Sequence, residues 1–328
     1  MSHRISKPAV PATSHRMWAA SAAILTLGAV AYGTRPDNTF LSSSDRGVEQ
    51  GPPPPHVEFV SPADLSNVSA VRSVPEEFAP ASAVQGAAAL DENLRLLEQG
   101  VRRLESIDGY RATFRRQERV GGRLLDPETM RVSVRHAPYA VYLKWVEGNV
   151  GRELLYVEGR NDGRLLVRLD GWKGRMLPAL SVDPHGSKAM EGSRYPATQF
   201  GMLALCRLLV RDRYADVAGG AGPRCLMVTN QRFRGRACTY FRLEYASPGD
   251  SDAARVYRKS VQIIDDELSL PLWIANYTWP TDGEGFEGDQ ALDEATLIEH
   301  YTYSDLDLAP RFADDEFDRA HPEYGFSR

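Results

Sequence analysis

Hydrophobic positions recur with two different periods along residues 87–328. Between residues 89 and 107, leucine or valine recurs every three or four positions, which predicts an amphipathic helix that ends at Gly109. Beyond this glycine, apolar and polar residues alternate, a pattern typical of strands with one buried face. A second apolar helical pattern covers residues 197–214, and a short helix is expected to begin at Asp314.

Turn sequences divide the alternating region into about ten short strands. Three of these turn sequences lie between apolar runs, at residues 161–163, 234–235 and 265–266. Asp-Gly in the first turn is a strong hairpin signal. A shorter strand is expected at 176–182. Short strands joined by hairpins, with two helices among them, predict a mainly β fold with helices (α+β). We expect a curved antiparallel sheet, or half-barrel, covered by the helices.

The first 86 residues have a different composition. Residues 1–34 contain basic but no acidic residues and an apolar run, which predicts a secretory signal peptide or an N-terminal membrane anchor at residues 17–33. Residues 35–86 hold eight of the 21 prolines and no periodic pattern, so we expect a disordered Pro-rich linker. The predicted organisation is therefore a signal segment, this linker and a single β-rich domain at 87–328, located in the periplasm or cell envelope.

Charge and cysteine content narrow the function classes. The net charge is −5 and the body of the chain has no strongly basic block, so we expect no nucleic-acid partner. The chain has three cysteines, and a turn at residues 234–235 would place Cys238 opposite Gln231, away from Cys225. A different turn position would still permit a Cys225–Cys238 disulfide. No zinc spacing is present, and we expect neither a metal nor a cofactor.

Motifs that would name a reaction are scarce. The sequence lacks a Gly-x-Ser-x-Gly elbow, a His-Glu-x-x-His helix and a phosphate-binding loop with its lysine. Asp183 and His185 form the best polar pair, and a loop Asp/His pair could do acid–base chemistry. The same residues, separated by a proline, are more typical of a solvated turn.

Large apolar side chains on the predicted strands suggest a ligand site instead. A sheet with helices over its concave face can enclose a space for an apolar ligand, although a packed core would have the same composition. Strand register decides which residues point inward. The candidate cavity residues are Phe114, Met130, Val132, Val134, Val141, Leu143 and Trp145.

Several motifs in a fixed order resemble one bacterial exported family, the domain of unknown function numbered 1571. They include Tyr-Arg-Ala-Thr-Phe-Arg-Arg-Gln-Glu-Arg at 110–119 and related runs at 151–162, 265–271 and 317–326. The resemblance covers about residues 90–326. It implies a fold similar to periplasmic lipoprotein carriers of the Lol type, in which a half-barrel closed by helices takes acyl chains. It implies no catalytic residues, because fold alone does not define function.

Together these patterns favour a non-enzymatic envelope protein that binds a lipid or a lipidated protein. Two alternatives remain open. The chain could be a membrane-tethered envelope sensor or protein-interaction domain, or a hydrolase of envelope polymers that uses Asp183 and His185.

Overall fold

The computed structural model describes residues 83–218, 222–247, 256–281 and 285–327. The predicted signal segment and all but the end of the predicted linker lie outside these ranges. The described residues form strands β1 (Ala83–Gln85), β2 (Gly109–Val120), β3 (Arg123–Leu124), β4 (Glu128–Arg135), β5 (Ala140–Glu147), β6 (Glu153–Val157), β7 (Leu165–Arg168), β8 (Leu180–Val182), β9 (Arg224–Phe233), β10 (Arg236–Glu244), β11 (Lys259–Asp265), β12 (Pro271–Tyr277) and β13 (Leu297–Asp307). The helices are α1 (Ala87–Glu105), α2 (Gly171–Met176), α3 (Ser187–Met190), α4 (Met202–Ala218) and α5 (Gly288–Thr296).

All thirteen strands belong to one antiparallel sheet, in the order β1-β9-β10-β11-β12-β13-β2-β4-β5-β6-β7-β8, with β3 paired to β2. The sheet is not closed, because β1 lies at one end of this order and β8 at the other. The predicted fold class, an antiparallel sheet with helices, is confirmed. β1 pairs with β9, so the sheet includes three residues of the range predicted as linker.

The last strand lies in the interior of the sheet. β13 pairs with β12 on one side and with β2 on the other. Ile274 lies opposite Tyr301, and Tyr303 lies opposite Phe114. This register places the aromatic side chains of β13 on the same side of the sheet as the inward residues of β2.

The two long helices pack on this side of the sheet, which we call the helix face. α1 contributes Leu97 and Leu104, and α4 contributes Cys206 and Leu209, to the apolar clusters there. The opposite side, the reverse face, is covered over β5–β7 by the C-terminal segment 308–327. In this segment Tyr324 stacks on Tyr142 with ring centroids 3.8 Å apart.

Four local predictions are wrong. α1 ends at Glu105 rather than at Gly109, which instead begins β2. An added Cβ at this glycine would lie 2.1 Å from the Val134 carbonyl oxygen, so the residue permits close strand pairing. α4 begins at Met202, after a 3₁₀ turn at 197–199.

The other two differences lie at 176–182 and at Asp314. Of the strand expected at 176–182 only β8 forms, from Leu180, because Met176 is the last residue of α2 and residues 177–179 are in neither a helix nor a strand. The helix expected at Asp314 is a series of turns, in which Glu316 N–H bonds to the Ala313 carbonyl and Asp318 N–H to the Asp315 carbonyl. Such i→i+3 bonds do not continue into an α-helix here because the chain turns to place Phe317 on the reverse face.

The hairpin at residues 234–235 sets the positions of the cysteines as predicted. Cys238 lies opposite Gln231, and Cys225 lies opposite Leu243. Cys225 belongs to a helix-face cluster and Cys238 to a reverse-face cluster, so their side chains project to opposite sides of the sheet. All three cysteines are buried and free.

Candidate functional site

The seven predicted cavity residues come together on the helix face. Phe114 of β2 lies opposite Met130 of β4, which lies opposite Trp145 of β5. The next inward positions repeat this arrangement with Val132 beside Leu143, and then Val134 beside Val141. All seven are 0–5% exposed and belong to one cluster. Three neighbouring strands therefore present one continuous apolar surface.

Side chains from outside the sheet fill the space above this surface. Phe200 packs edge-on against Phe114, with ring centroids 5.2 Å apart. Met202 and Cys206 of α4 are fully buried in the same cluster. The Met202 backbone N–H donates to the Tyr110 hydroxyl at 2.9 Å. In this structure the apolar surface is therefore part of a packed core.

An opening of about 210 Å³ lies at the margin of this core, beside the first turn of α4. Its wall includes one of the predicted cavity residues, Val134, together with the polar side chains of His136 and Arg207. His136 Nδ1 lies 3.1 Å from the Ile107 carbonyl oxygen, while its buried Nε2 has no partner among the described residues. Burial lowers the pKa of this imidazole, which favours the neutral ring.

The segment that separates the opening from the core is held by few polar contacts. The Tyr139 hydroxyl lies 2.9 Å from the carbonyl oxygens of both Ala197 and Phe200. Gly201 follows with φ +112°, and an added Cβ there would lie 3.0 Å from the Tyr110 hydroxyl oxygen. Glycine is therefore required where this segment turns into α4.

At the other end of the helix face, a buried polar cluster replaces the apolar surface. Glu118 of β2 lies directly opposite Glu299 of β13. Arg194 lies against both, with Nε 2.8 Å from a Glu299 carboxylate oxygen and its backbone N–H donating to Glu118 at 3.0 Å. The Tyr301 hydroxyl donates to Glu118 at 2.6 Å. The polar cluster comprises Arg116, Glu118, Arg194, Tyr195, Tyr257, Asn276, Glu299 and Tyr301.

Charge balance explains how this cluster tolerates burial. Two facing carboxylates would repel each other, but two arginines neutralise them. Burial by itself lowers the pKa of Arg194, yet the Glu299 carboxylate and the nearby Tyr195 and Tyr257 hydroxyls together outweigh it, so the pKa of the guanidinium is raised. Burial, and next the Glu299 charge, raise the pKa of the Tyr301 hydroxyl far above its ordinary value. The cluster fixes residues 191–196 to the sheet.

The cluster was not predicted from the sequence, although β2 contains a signal for it. Tyr110, Ala112 and Phe114 mark the inward positions of this strand, and the same period of two continues to Arg116 and Glu118. Charged residues at inward positions indicate a buried, paired network. Recognition of Glu299 would in addition have required the register between β13 and β2.

Asp183 and His185 lie in an exposed turn after β8. The Asp183 carboxylate accepts a hydrogen bond from the backbone N–H of His185 at 2.9 Å, and the His185 Nε2 lies 3.4 Å from the Thr198 hydroxyl. The carboxylate thus shapes a turn rather than orienting an imidazole. Among the described residues, no group of three or more His, Cys, Asp or Glu side chains is placed to hold a metal ion.

A second opening, a groove of about 520 Å³, lies between α1 and α4. Val101, Val210 and Tyr214 form its apolar part. The arginines of its rim are paired with acids, Arg102 with Glu98 and Arg207 with Glu105. The rim therefore provides little net charge for a ligand.

The sequence comparisons identify the family. The family described as "Protein of unknown function (DUF1571)" matches residues 107–326. The chain belongs to the DUF1571 family. No curated protein matches the sequence. The DUF1571 match includes the seven apolar residues, Asp183, His185 and the whole polar cluster, whereas β1 and α1 precede it.

Solved structures with a similar fold include a mycobacterial lipoprotein and a LolA superfamily protein. LprF from Mycobacterium bovis is 12% identical, with a TM-score of 0.39, and covers 69% of this chain and 97% of its own. The Mycobacterium tuberculosis lipoprotein LppX is 14% identical, with a TM-score of 0.38 and coverages of 70% and 100%. A LolA superfamily protein from Nitrosomonas europaea is 11% identical, with a TM-score of 0.27 and coverages of 68% and 96%. We infer no function for this DUF1571 protein from likenesses at these levels.

None of the described helices is long and apolar enough to cross a bilayer. The anchor predicted at residues 17–33 lies outside the described residues of this DUF1571 protein.

Proposed function

We propose that this protein is a non-enzymatic binding domain for a lipid or the acyl chain of a lipidated protein. One observation carries the proposal: the apolar surface of β2, β4 and β5 is covered by α4 and the Phe200 segment, and an opening at its margin leads towards it. A cover made of one helix and one short segment can be displaced without breaking strand pairing.

Burial of an acyl chain on this surface would supply the affinity. Each methylene removed from water contributes about 0.8 kcal/mol, so a single chain needs no catalytic or charged group to bind. The opening of about 210 Å³ is smaller than the roughly 300–1,000 Å³ typical of ligand pockets. Entry therefore requires Phe200 to move away from Phe114.

The polar side chains of the opening suit the other end of such a ligand. Arg207 is already paired with Glu105 at 2.7 Å, whereas the neutral His136 ring offers an unoccupied acceptor at Nε2. The N-terminal end of α4, at Met202, adds the positive end of a helix dipole. A headgroup that combines a negative charge with a hydroxyl or amine donor would match this set.

The envelope location is part of the proposal and depends on the N-terminal sequence. The basic start and apolar run of residues 1–34 are typical of an export signal, and an uncleaved run at 17–33 would keep the domain at the inner membrane.

The test compares two buried valines on opposite faces of the sheet. Val132 lies on the helix face and Val261 on the reverse face, and each is 2% exposed. Val132→Thr and Val261→Thr both bury a hydroxyl of similar volume, and each is expected to cost about 1–3 kcal/mol of stability. Only Val132→Thr is expected to lower the lipid that co-purifies with the full chain, measured by native mass spectrometry and organic extraction.

The outcome separates the proposal from its alternatives. An equal loss of lipid in both variants would mean that retention follows stability alone. A wild-type chain that carries no lipid and takes up none when lipid is added would contradict the proposal and favour the envelope sensor or protein-interaction alternative. The hydrolase alternative has no support from the Asp183 contacts, which go to the backbone of a turn.

A further inference from the structure

Large apolar side chains are exposed together around α2 and β8. Trp172 is 63% exposed, Met176 74%, Leu177 48% and Leu180 40%. These four residues, which we call the α2 patch, lie within nine consecutive positions. A monomeric protein seldom exposes so many large apolar side chains in one place unless the surface binds something.

The patch is presented by a well-defined piece of structure. Trp172 and Met176 are four residues apart in α2, so they project from the same side of the helix. Gly174 lets α2 pack closely against the residues that follow β7. Its N–H donates to the Asp170 carbonyl at 3.1 Å, and an added Cβ would lie 1.9 Å from the Leu169 carbonyl oxygen. Leu180 lies in β8, at the end of the sheet order.

Charge indicates the chemistry of the partner. Residues 171–182 contain Lys173 and Arg175 and no acidic residue, although the whole chain carries a net charge of −5. Arg164 adds a third positive charge beside the patch, because its guanidinium donates to the hydroxyl and carbonyl oxygens of Ser181 at 3.1 and 3.0 Å. A positively charged, apolar segment in an acidic protein is complementary to an anionic, apolar partner.

A peptide strand added to the sheet edge is a poorer fit. β8 has three residues and is flanked by Pro178 and Pro184, which have no N–H to donate. The exposed residues of the patch are instead a tryptophan and long aliphatic side chains among basic residues. This composition is typical of segments that lie in the interface of a bilayer.

We propose that the α2 patch docks this domain on an anionic phospholipid surface, with the Trp172 indole at the level of the headgroups. Met176, Leu177 and Leu180 enter the acyl boundary beside it, and the positive charge of the segment favours anionic lipid. The docking surface is separate from the apolar surface beneath α4, so it does not depend on the proposed interior site. The two proposals can fail independently.

The test uses the full chain and measures the environment of Trp172 directly. Vesicles of phosphatidylglycerol and phosphatidylethanolamine are prepared with and without brominated acyl chains, which quench nearby indoles. The difference between the wild type and Trp172→Phe isolates the Trp172 fluorescence and cancels that of the other four tryptophans, Trp18 included. We expect quenching of this component, and much weaker quenching when phosphatidylcholine replaces phosphatidylglycerol.

Two further variants give the size of the effect. Met176→Ser/Leu180→Ser removes two apolar side chains that are exposed in the structure, so the fold is preserved. It is expected to lower the vesicle partition coefficient, measured from the Trp172 fluorescence, about tenfold or more. Val256→Ser is the matched control, since Val256 is 58% exposed but precedes β11, far from β8 in the sheet order. Val256→Ser should leave the partition coefficient unchanged. The wild type, Met176→Ser/Leu180→Ser and Val256→Ser should all retain the same amount of interior lipid.

Two results would overturn the proposal. One is a Trp172 component that brominated lipid does not quench, whatever the headgroup. The other is protection of Trp172 from aqueous quencher through self-association in the absence of vesicles, measured by sedimentation, which would make the α2 patch a contact between copies of the chain.

Discussion

The two ends of the helix face are built from the same strands but in opposite ways. Beneath α4, β2 presents Phe114 within an apolar surface whose cover is held by burial and by hydrogen bonds of the Tyr110 and Tyr139 hydroxyls. Two residues further along, β2 presents Arg116 and then Glu118, and the chain above is held by ion pairs and hydrogen bonds.

The two ends differ in how easily their contacts can be replaced by other chemical groups. Apolar contacts have no fixed direction, so another apolar group of similar volume can replace Phe200 at small cost. A buried carboxylate has a fixed set of donors, and loss of one leaves the others unpaired. We therefore expect the apolar end to open while the polar end keeps residues 191–196 in place.

The largest effect is expected when the polar cluster loses its central cation. Arg194→Met removes the guanidinium that pairs with the buried Glu299 carboxylate, which lies opposite Glu118, and should lower the free energy of unfolding by about 2–4 kcal/mol. Urea denaturation measures the change. Adding Glu299→Gln should recover part of the loss, because the repulsion disappears.

The matched control is Arg115→Met. Arg115 pairs with Glu147 at 3.0 Å, where the side chains are 27% and 39% exposed, so the expected cost is below about 1 kcal/mol. Equal losses for Arg115→Met and Arg194→Met would remove the distinction between the two ends.

The effect of intermediate size is a loss of stability at acidic pH, which we assign to His300 and not to either end of the helix face. Burial, and next the charge of Arg115, lower the pKa of His300 on the reverse face to about 4, below the unfolded value of about 6.5. The unfolded state therefore binds more protons between these values, and stability falls as the pH drops below 6.5. Between pH 7 and pH 5 the loss should be about 1–2 kcal/mol, and His300→Gln should reduce this slope in urea denaturation. An unchanged slope would assign it to other groups.

The smallest effect tests whether the apolar end opens. Tyr139→Phe removes the hydroxyl beside the Ala197 and Phe200 carbonyls, which should cost about 1 kcal/mol. Burial raises the pKa of the Cys206 thiol beneath α4 to about 12, so alkylation requires opening. We expect the Cys206 alkylation rate to rise about fivefold in the variant.

Cys238 is the internal control for this measurement. It is buried on the reverse face, and burial raises the pKa of its thiol to about 11. Peptide mapping distinguishes the two thiols. If Cys238 gains reactivity as much as Cys206, the variant loosens the whole domain rather than the cover of the apolar end.

Those features of the fold that a local sequence pattern determines could be predicted. The period of two in β2, β4 and β5 placed all seven apolar residues on one face, because alternation is a property of each strand by itself. The turn at residues 234–235 likewise fixed Cys238 opposite Gln231. Helix ends were less predictable: α4 starts five residues later than its apolar pattern, since tertiary contacts such as that of Met202 with Tyr110 decide where it begins.

The rest depends on contacts between distant parts of the sequence. Glu118 and Glu299 meet only because β13 pairs with β2, and nothing near either residue specifies that pairing. Whether the helix face encloses a cavity depends on Phe200 and α4, not on the strands beneath them. The α2 patch was missed because a strand was expected at Met176 and no element at Trp172, and exposure follows from packing.

The position of β13 has a consequence for how the chain matures. β13 begins at Leu297, yet it joins β12 to β2 in the middle of the sheet. The ribosome delivers this strand after all the other described strands, so the two halves of the sheet stay separate until synthesis is almost finished. Pairing across so many residues is intrinsically slow. Under the export proposed above, that delay would keep the chain unfolded while it crosses the membrane, and the sheet would be completed afterwards.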